Sequence, residues 1–366
     1  MIIPSRQRHY WKQALFFAFI WCVSALLYAI VEFGLLGNAK YYPISGNVYS
    51  FKGSILYAGT FSFVIGWLQG WIEVAWLRRR FHNNTLWLKV LAKILFYICF
   101  ITLFLTSLII ITNSLLLEIP IWDLRVFESL WMFMTTFTFW SIMIYIAVTL
   151  SVAILFSEVI EYFGMKRLID FILGRYHRPN QETRIFMFLD MKSSTTIAEQ
   201  IGHEKYFELI KKYYSDMTQP ILDTAGDIYQ YVGDEIVVSW LHKKGIENDN
   251  CVECFRKISE SISKNKDSYL REFGVVPEFK AGFHVGEVTT GEIGIIKKDI
   301  IYTGDVLNTT ARIQAECNKY NVQILLSEKL YAQLSLEEAV QGNEIGSLQL
   351  RGKRGSTKLY SLSFEL

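Results

Sequence analysis

Four long apolar runs occupy the chain before Phe163: roughly Gln13–Phe33, Ile55–Leu77, Val90–Thr112 and Leu130–Phe156. A bilayer core takes about 20 apolar residues in helical form, so runs of this length predict four membrane-spanning helices. The chain is 51% hydrophobic and 15% aromatic, which is more apolar than an average soluble protein. Beyond Phe163 charged residues dominate, and 366 residues suit two domains. The expected division is a membrane domain over 1–156, a helical linker over 157–180 and a soluble domain over 181–366. Net charge is only +2, an ordinary mixed surface that suggests no nucleic-acid partner.

Lys and Arg in the short loops set the expected orientation. Arg6, Arg8 and Lys12 precede the first run; Arg78, Arg79, Arg80, Lys89 and Lys93 lie between the second and third; Lys166, Arg167 and Arg175 follow the fourth. The other two loops are poorer, with Lys40 and Lys52 in one and only Arg125 in the other, beside Glu118, Asp123 and Glu128. Both termini are therefore expected in the cytosol. The first run is long enough to span and lacks a small-residue cleavage site, so no cleaved signal is expected. Cysteine introduced at Asn47 should be labelled from outside the cell, and cysteine at Asn83 only after permeabilisation. The reverse pattern would sink this orientation.

Glu32 and Glu73 lie near or within the runs. An intramembrane carboxylate marks a candidate sensing or ion site. The plainer reading is that Glu73, about a turn from Arg78–Arg80, reaches the interface. The runs show no repeated broken helices or charged pathway of the transporter kind. From Ser157 to Arg178 the apolar spacing predicts one amphipathic helix, ended by Pro179. Cys251 and Cys254 have CxxC spacing, but no second Cys or His pair stands near enough to complete a zinc site.

Five segments of the polar half carry chemistry. A strand, Arg184–Leu189, ends in Asp190, and the hydroxylated residues Ser193, Ser194, Thr195 and Thr196 precede a helix. A carboxylate beside helix-start amides suits a metal-bound triphosphate, with Ser194 and Thr195 as its candidate contacts; a plain N-cap cluster is the alternative. Two alternating stretches flank Gly233–Asp234, which reads as a β-hairpin. Asp190 and Asp234 together could hold two divalent ions for in-line phosphoryl displacement. Ala281–Gly294 reads as a strand and glycine-rich turn whose glycines permit close backbone approach. Tyr302–Ile313 opens a helix with Asn308 and Arg312 four apart, hence on one face. These could bind ribose and developing phosphate charge. Leu350–Gly355 is a basic glycine loop between two late strands.

In this order, FMFLD, YVGDE, GFHVGEVTTGEIG, GDVLNTTARI and RGKRG resemble the class III adenylate and guanylate cyclase family, over about Arg184 to Phe364. The resemblance implies an α+β ferredoxin-like domain with helices on one face of the sheet, following the four-span helical bundle. It implies that Asp190 and Asp234 hold two Mg²⁺ or Mn²⁺ ions per site. Asn308 would orient the ribose, Arg312 would stabilise the transition state and Lys353 would contact the terminal phosphates. It also implies a head-to-tail homodimer, with the aspartates from one protomer and Asn308, Arg312 and Lys353 from the other. The expected activity is cyclisation of a nucleoside triphosphate, ATP first, by an integral protein of a plasma or bacterial inner membrane whose catalytic domain is cytoplasmic.

Three positions depart from the family pattern. Gln230 stands where the base-reading lysine is usual, and Ile301 where its Asp or Thr partner falls in an ungapped alignment. Ser194 replaces a frequent Phe. These changes leave GTP and the pyrimidine triphosphates open as substrates, since Gln both donates and accepts. A diguanylate cyclase would lack the Asn308/Arg312 helix and the late Gly-Lys loop. A catalytically dead nucleotide-binding receptor would usually have lost a metal Asp or the Arg, and both are kept here.

Overall fold

The computed structural model describes residues 5–37, 39–41, 49–77, 80, 85–296, 298–336, 340–349 and 356–364. Asn47, Asn83 and Lys353 lie outside the described residues. The chain forms two compact units, Met1–Ile169 and Asp170–Leu366.

The first unit is helical: α1 (Ser5–Leu36), α2 (Phe51–Ile72) running into a π-helical turn (Glu73–Leu77), α3 (Leu86–Leu117), α4 (Leu124–Met134) and α5 (Phe137–Phe163). Four of these are long and apolar enough to cross a membrane, over Gln13–Leu36, Phe51–Leu77, Leu86–Leu115 and Phe137–Glu161. The fourth differs from the sequence reading, which began it at Leu130. Thr136 caps a new helix by accepting from Phe139 N, so the apolar run is split into α4 and α5. Small residues let α1 and α2 touch along their backbones: a Cβ at Gly70 would stand 2.5 Å from Ala14 Cα, and one at Gly66 2.8 Å from Ala18 Cα. This is small-xxx-small packing on both helices. Trp21 on α1 donates to Gln69 Oε1 on α2 at 2.6 Å.

The Glu73 side chain turns inward, and Lys93 lies within α3 rather than in a loop. Both are buried, and Lys93 pairs with Glu73 and Glu158. The apolar surround leaves a buried charge no partner but another buried charge, which sequence spacing does not reveal. The expected single helix Ser157–Arg178 is also interrupted. Gly164 adopts φ +79, which a residue with a Cβ rarely does, and separates α5 from the short α6 (Met165–Ile172).

The second unit is an eight-stranded mixed sheet with helices. Its elements are β1 (Asn180–Met191), α7 (Ser194–Ile201), α8 (His203–Asp223), β2 (Asp227–Val232), β3 (Glu235–Leu241), α9 (His242–Ile246), α10 (Asn250–Lys264), α11 (Lys266–Phe273), β4 (Phe279–Ile293), β5 (Asp299–Thr303), α12 (Asp305–Tyr320), β6 (Ile324–Ser327), α13 (Glu328–Tyr331), β7 (Val340–Gln349) and β8 (Ser356–Phe364). The strand order is β2-β3-β1-β4-β6-β8-β7, with β5 on the far part of β4. All pairings are antiparallel except β4–β6, which the α12 crossover makes parallel.

Alternation along the central strands divides the core. Ile185, Met187 and Leu189 of β1 pack with the apolar faces of α8, α10 and α11, including Leu209, Phe255 and Tyr269. Phe186 and Phe188 point the other way, into a cluster with Val306 of α12. Helices therefore cover both faces, correcting the one-face expectation. Two-sided cover explains why β1 is buried at six consecutive positions, Arg184 to Leu189, rather than at alternate ones.

The segment read as a glycine-rich turn is continuous strand to Ile293. Its glycines seat α12: a Cβ on Gly282 would stand 2.3 Å from Gln314 N. Cys251 and Cys254 are buried free thiols on the core face of α10, and burial pushes the Cys254 thiol up to about 12.

Candidate active site

The β2–β3 hairpin turns at Gly233, whose φ of +63 favours glycine, and delivers Asp234 beside Asp190 near the end of β1. Tyr214 on α8 holds this turn, donating to Gly233 O at 2.9 Å with Glu235 O also within 3.2 Å. Burial, and then the neighbouring Asp234 carboxylate, raise the pKa of Asp190. Glu235 is half-buried, and burial together with Asp190 and Asp234 pushes it up to about 7. Negative charge thus converges from Asp190 at the end of β1, Asp234 in the hairpin turn and Glu235 at the start of β3. Among the described residues, no group of three or more His, Cys, Asp or Glu is arranged to hold a metal by itself. Two adjacent, mutually repelling carboxylates fit hard divalent cations that take remaining ligands from phosphate and water.

Two residues that the sequence reading missed meet Asp190. The antiparallel register sets Lys280 of β4 opposite it, with Lys280 Nζ 3.4 Å from Asp190 Oδ2 and 3.1 Å from Asn318 Oδ1. Gln314 of α12 donates through Nε2 to the same carboxylate oxygen at 3.2 Å. The available signal was Lys280 itself, a cation within the apolar opening of β4, Phe279–Phe283.

Asn308 and Arg312 share the outward side of α12: Asn308 is exposed and Arg312 half-buried. Gln314 is buried toward Asp190, and Arg312 lies about 200° from it around the helix at about 100° per residue. Among the described residues, no ion pair joins Arg312 to either aspartate. One chain therefore brings Asp190 and Asp234 together but turns Arg312 away from them.

Gln230 is exposed on β2 and Ile301 half-buried on β5. Their neighbours Tyr229 and Tyr302 pack with tilted rings 4.8 Å apart, and Tyr302 N donates to Tyr229 Oη at 3.4 Å, so the two strands are held near each other. The chain shifts register against β3 between Ile228 and Gln230. Ser194 is half-buried and hydrogen-bonded to Tyr206, and Thr195 is exposed. Ser193 makes no side-chain cap bond, so N-capping does not account for this hydroxyl cluster.

A family model described as the adenylate and guanylate cyclase catalytic domain matches residues 176–363, just over half of the chain. Adenylate cyclase 2 of Rhizobium meliloti (strain 1021) is 31% identical over 223 residues, covering 61% of this chain and 61% of that protein. An adenylate cyclase of Anabaena cylindrica is 25% identical over 182 residues, covering 48% of this chain and 36% of its own length. The chain thus spans less than two thirds of either relative. The structure of a bacterial light-regulated adenylyl cyclase aligns with a TM-score of 0.51 at 18% identity, over 59% of this chain and 63% of that one, a likeness of fold.

Proposed function

This chain belongs to the adenylate and guanylate cyclase catalytic domain family, and from that premise we propose that it converts a nucleoside triphosphate, ATP first, to the 3′,5′-cyclic monophosphate and pyrophosphate. The observation that carries the reading is the convergence of Asp190 and Asp234 at one point while Arg312 faces away. A site of this kind is completed by a second copy, so the working form is a homodimer. The mixed sheet with its β4–α12–β6 crossover supports a ferredoxin-like reading of the domain.

Asp190 and Asp234 would hold two Mg²⁺ or Mn²⁺ ions, which when bound supply charge neutralisation and activation of the ribose 3′-hydroxyl. Asn308 of the partner subunit orients the ribose so that the 3′-oxygen lies in line with the α-phosphate. Arg312 of the partner subunit stabilises charge on the pentacovalent phosphorus as pyrophosphate leaves. Lys353 is assigned to the terminal phosphates, and Ser194 and Thr195 remain candidates beside them. Positioning of this kind supplies much of the rate. The names of the relatives favour ATP; Gln230 and Ile301 keep GTP and the pyrimidine triphosphates as the second reading.

The four apolar helices support an integral membrane protein, with 1–156 as anchor, 157–180 as linker and 181–366 as a cytoplasmic catalyst. The direct test supplies the purified full chain with each of the four nucleoside triphosphates and Mn²⁺. Cyclic AMP should predominate; no cyclic product from any of them removes the proposal and leaves a nucleotide-binding receptor. If Gln230 and Ile301 read the base, Q230K/I301D should raise the ATP-to-GTP ratio of kcat/KM by at least about tenfold, the scale of one bidentate base contact. An unchanged ratio assigns base choice to other residues.

A further inference from the structure

The helical unit contains an ionic triad for which anchoring gives no reason. Lys93 Nζ on α3 stands 2.5 Å from Glu73 Oε1 at the end of α2 and 2.6 Å from Glu158 Oε1 on α5. The three side chains are 2%, 1% and 5% exposed. Tyr97, one turn along α3, donates to Glu73 Oε2 at 3.1 Å, with Gln69 O also in reach at 3.2 Å. Glu73 opens the π-helical turn Glu73–Leu77. Such a turn fits an extra residue into the helix and often marks a functional position.

Stability does not account for this arrangement. Apolar side chains of similar volume would hold three helices together at least as well, because desolvation offsets much of the attraction between buried charges. A triad adds registry, since only one axial setting of the three helices puts Lys93 between both carboxylates. Each member comes from a different helix, and Glu158 lies little more than about one turn before α5 ends at Phe163. From there the chain runs through Gly164 and α6 into the second unit.

We infer that Glu73, Lys93 and Glu158 form a latch that fixes the register of α5, the helix from which the chain continues toward the catalytic unit, against α2 and α3. A shift of α2 or α3 must carry α5 with it or break an ion pair in an apolar surround. The response is therefore two-state rather than graded. Its catalytic consequence rests on the cyclase reading above; the register of α5 does not.

The test uses the full chain in lipid nanodiscs, with turnover normalised to folded protein. It compares E73Q, E158Q, K93R and the neutral triple variant E73Q/K93M/E158Q. Releasing α5 in E158Q and in the triple variant should change kcat by at least about threefold, the size of coupling through one packed network, with KM within about twofold. E73Q cuts the tie to α2 but keeps the Lys93–Glu158 pair, so its kcat should fall between wild type and E158Q, while K93R keeps both pairs and should stay within about twofold of wild type. Tryptic cleavage after Lys166 and Arg167, just past α5, should accelerate at least about threefold in E158Q and the triple variant. This second readout does not depend on catalysis, so an inactive wild type sinks the cyclase reading while the cleavage rates still decide the latch. Wild-type kcat and wild-type cleavage in E158Q overturn it. So does a loss of activity matched by an equal loss of folded protein, or a K93R variant that behaves like E158Q. Should the triple variant fail to fold, E158Q against K93R decides by the same criteria.

Discussion

Asp190→Ala and Asp234→Ala are each expected to lose cyclase activity by at least about 100-fold, since even outer-shell partners of a bound metal cost about 10–100-fold when removed. Both variants should remain folded. Asp190 and Asp234 repel each other, and burial already disfavours the Asp190 carboxylate, so removing one charge relieves a cost in the metal-free protein. The apolar core on either face of β1 is untouched by either change. Asp234→Ala should therefore melt at or above wild type in buffer without divalent ions, whereas Asp190→Ala also strips Lys280 and Gln314 of their shared partner and should melt below it. Turnover near wild type at saturating Mg²⁺ would remove the two-metal reading. Collapse of the fold would instead make the aspartates structural.

Mixing Asp190→Ala with Arg312→Ala should restore activity that neither variant has alone. In the proposed homodimer the two lesions belong to different halves of a shared site, since α12 turns Arg312 away from the Asp190 that its own Gln314 contacts. In a mixed dimer both lesions fall in one site and the other site is whole. With free exchange roughly half the dimers are mixed, each with one working site of two, so about a quarter of wild-type activity should return. Activity per protein should also rise with concentration wherever the helical unit does not hold the pair together. A mixture as inactive as its parents, with subunit exchange shown by an independent label, would exclude the shared site.

The chemistry-bearing motifs were legible because each is local. Gly233–Asp234 between two alternating stretches announces a hairpin, and the hairpin is there. Asn308 and Arg312 at helical spacing share a face wherever that helix packs. What local pattern could not show was which side of the sheet α12 would take, since covering either face of β1 satisfies the same apolar alternation. Gly164 was read through as part of one helix because a single glycine in an apolar periodic stretch is tolerated there about as readily as it breaks it. Gln230 and Ile301 rest on an ungapped alignment, and Gln230 follows a register shift in the pairing of β2 with β3.

The sequence by itself determined that the first part of this chain would form long apolar helices and the second a cyclase-type sheet. Length, periodicity and ordered motifs are properties of neighbours along the chain. Only the tertiary structure decided that Lys280 and Gln314 would meet Asp190, because that depends on the register of β4 against β1 and on how closely Gly282 lets α12 approach. It alone decided that Glu73, Lys93 and Glu158 would share one buried point. Read along the chain they are three charges near the ends of apolar runs, and nothing local says which will turn inward together. Burial makes their meeting obligatory, since a charge removed from water persists only where another charge or a donor has been brought to it.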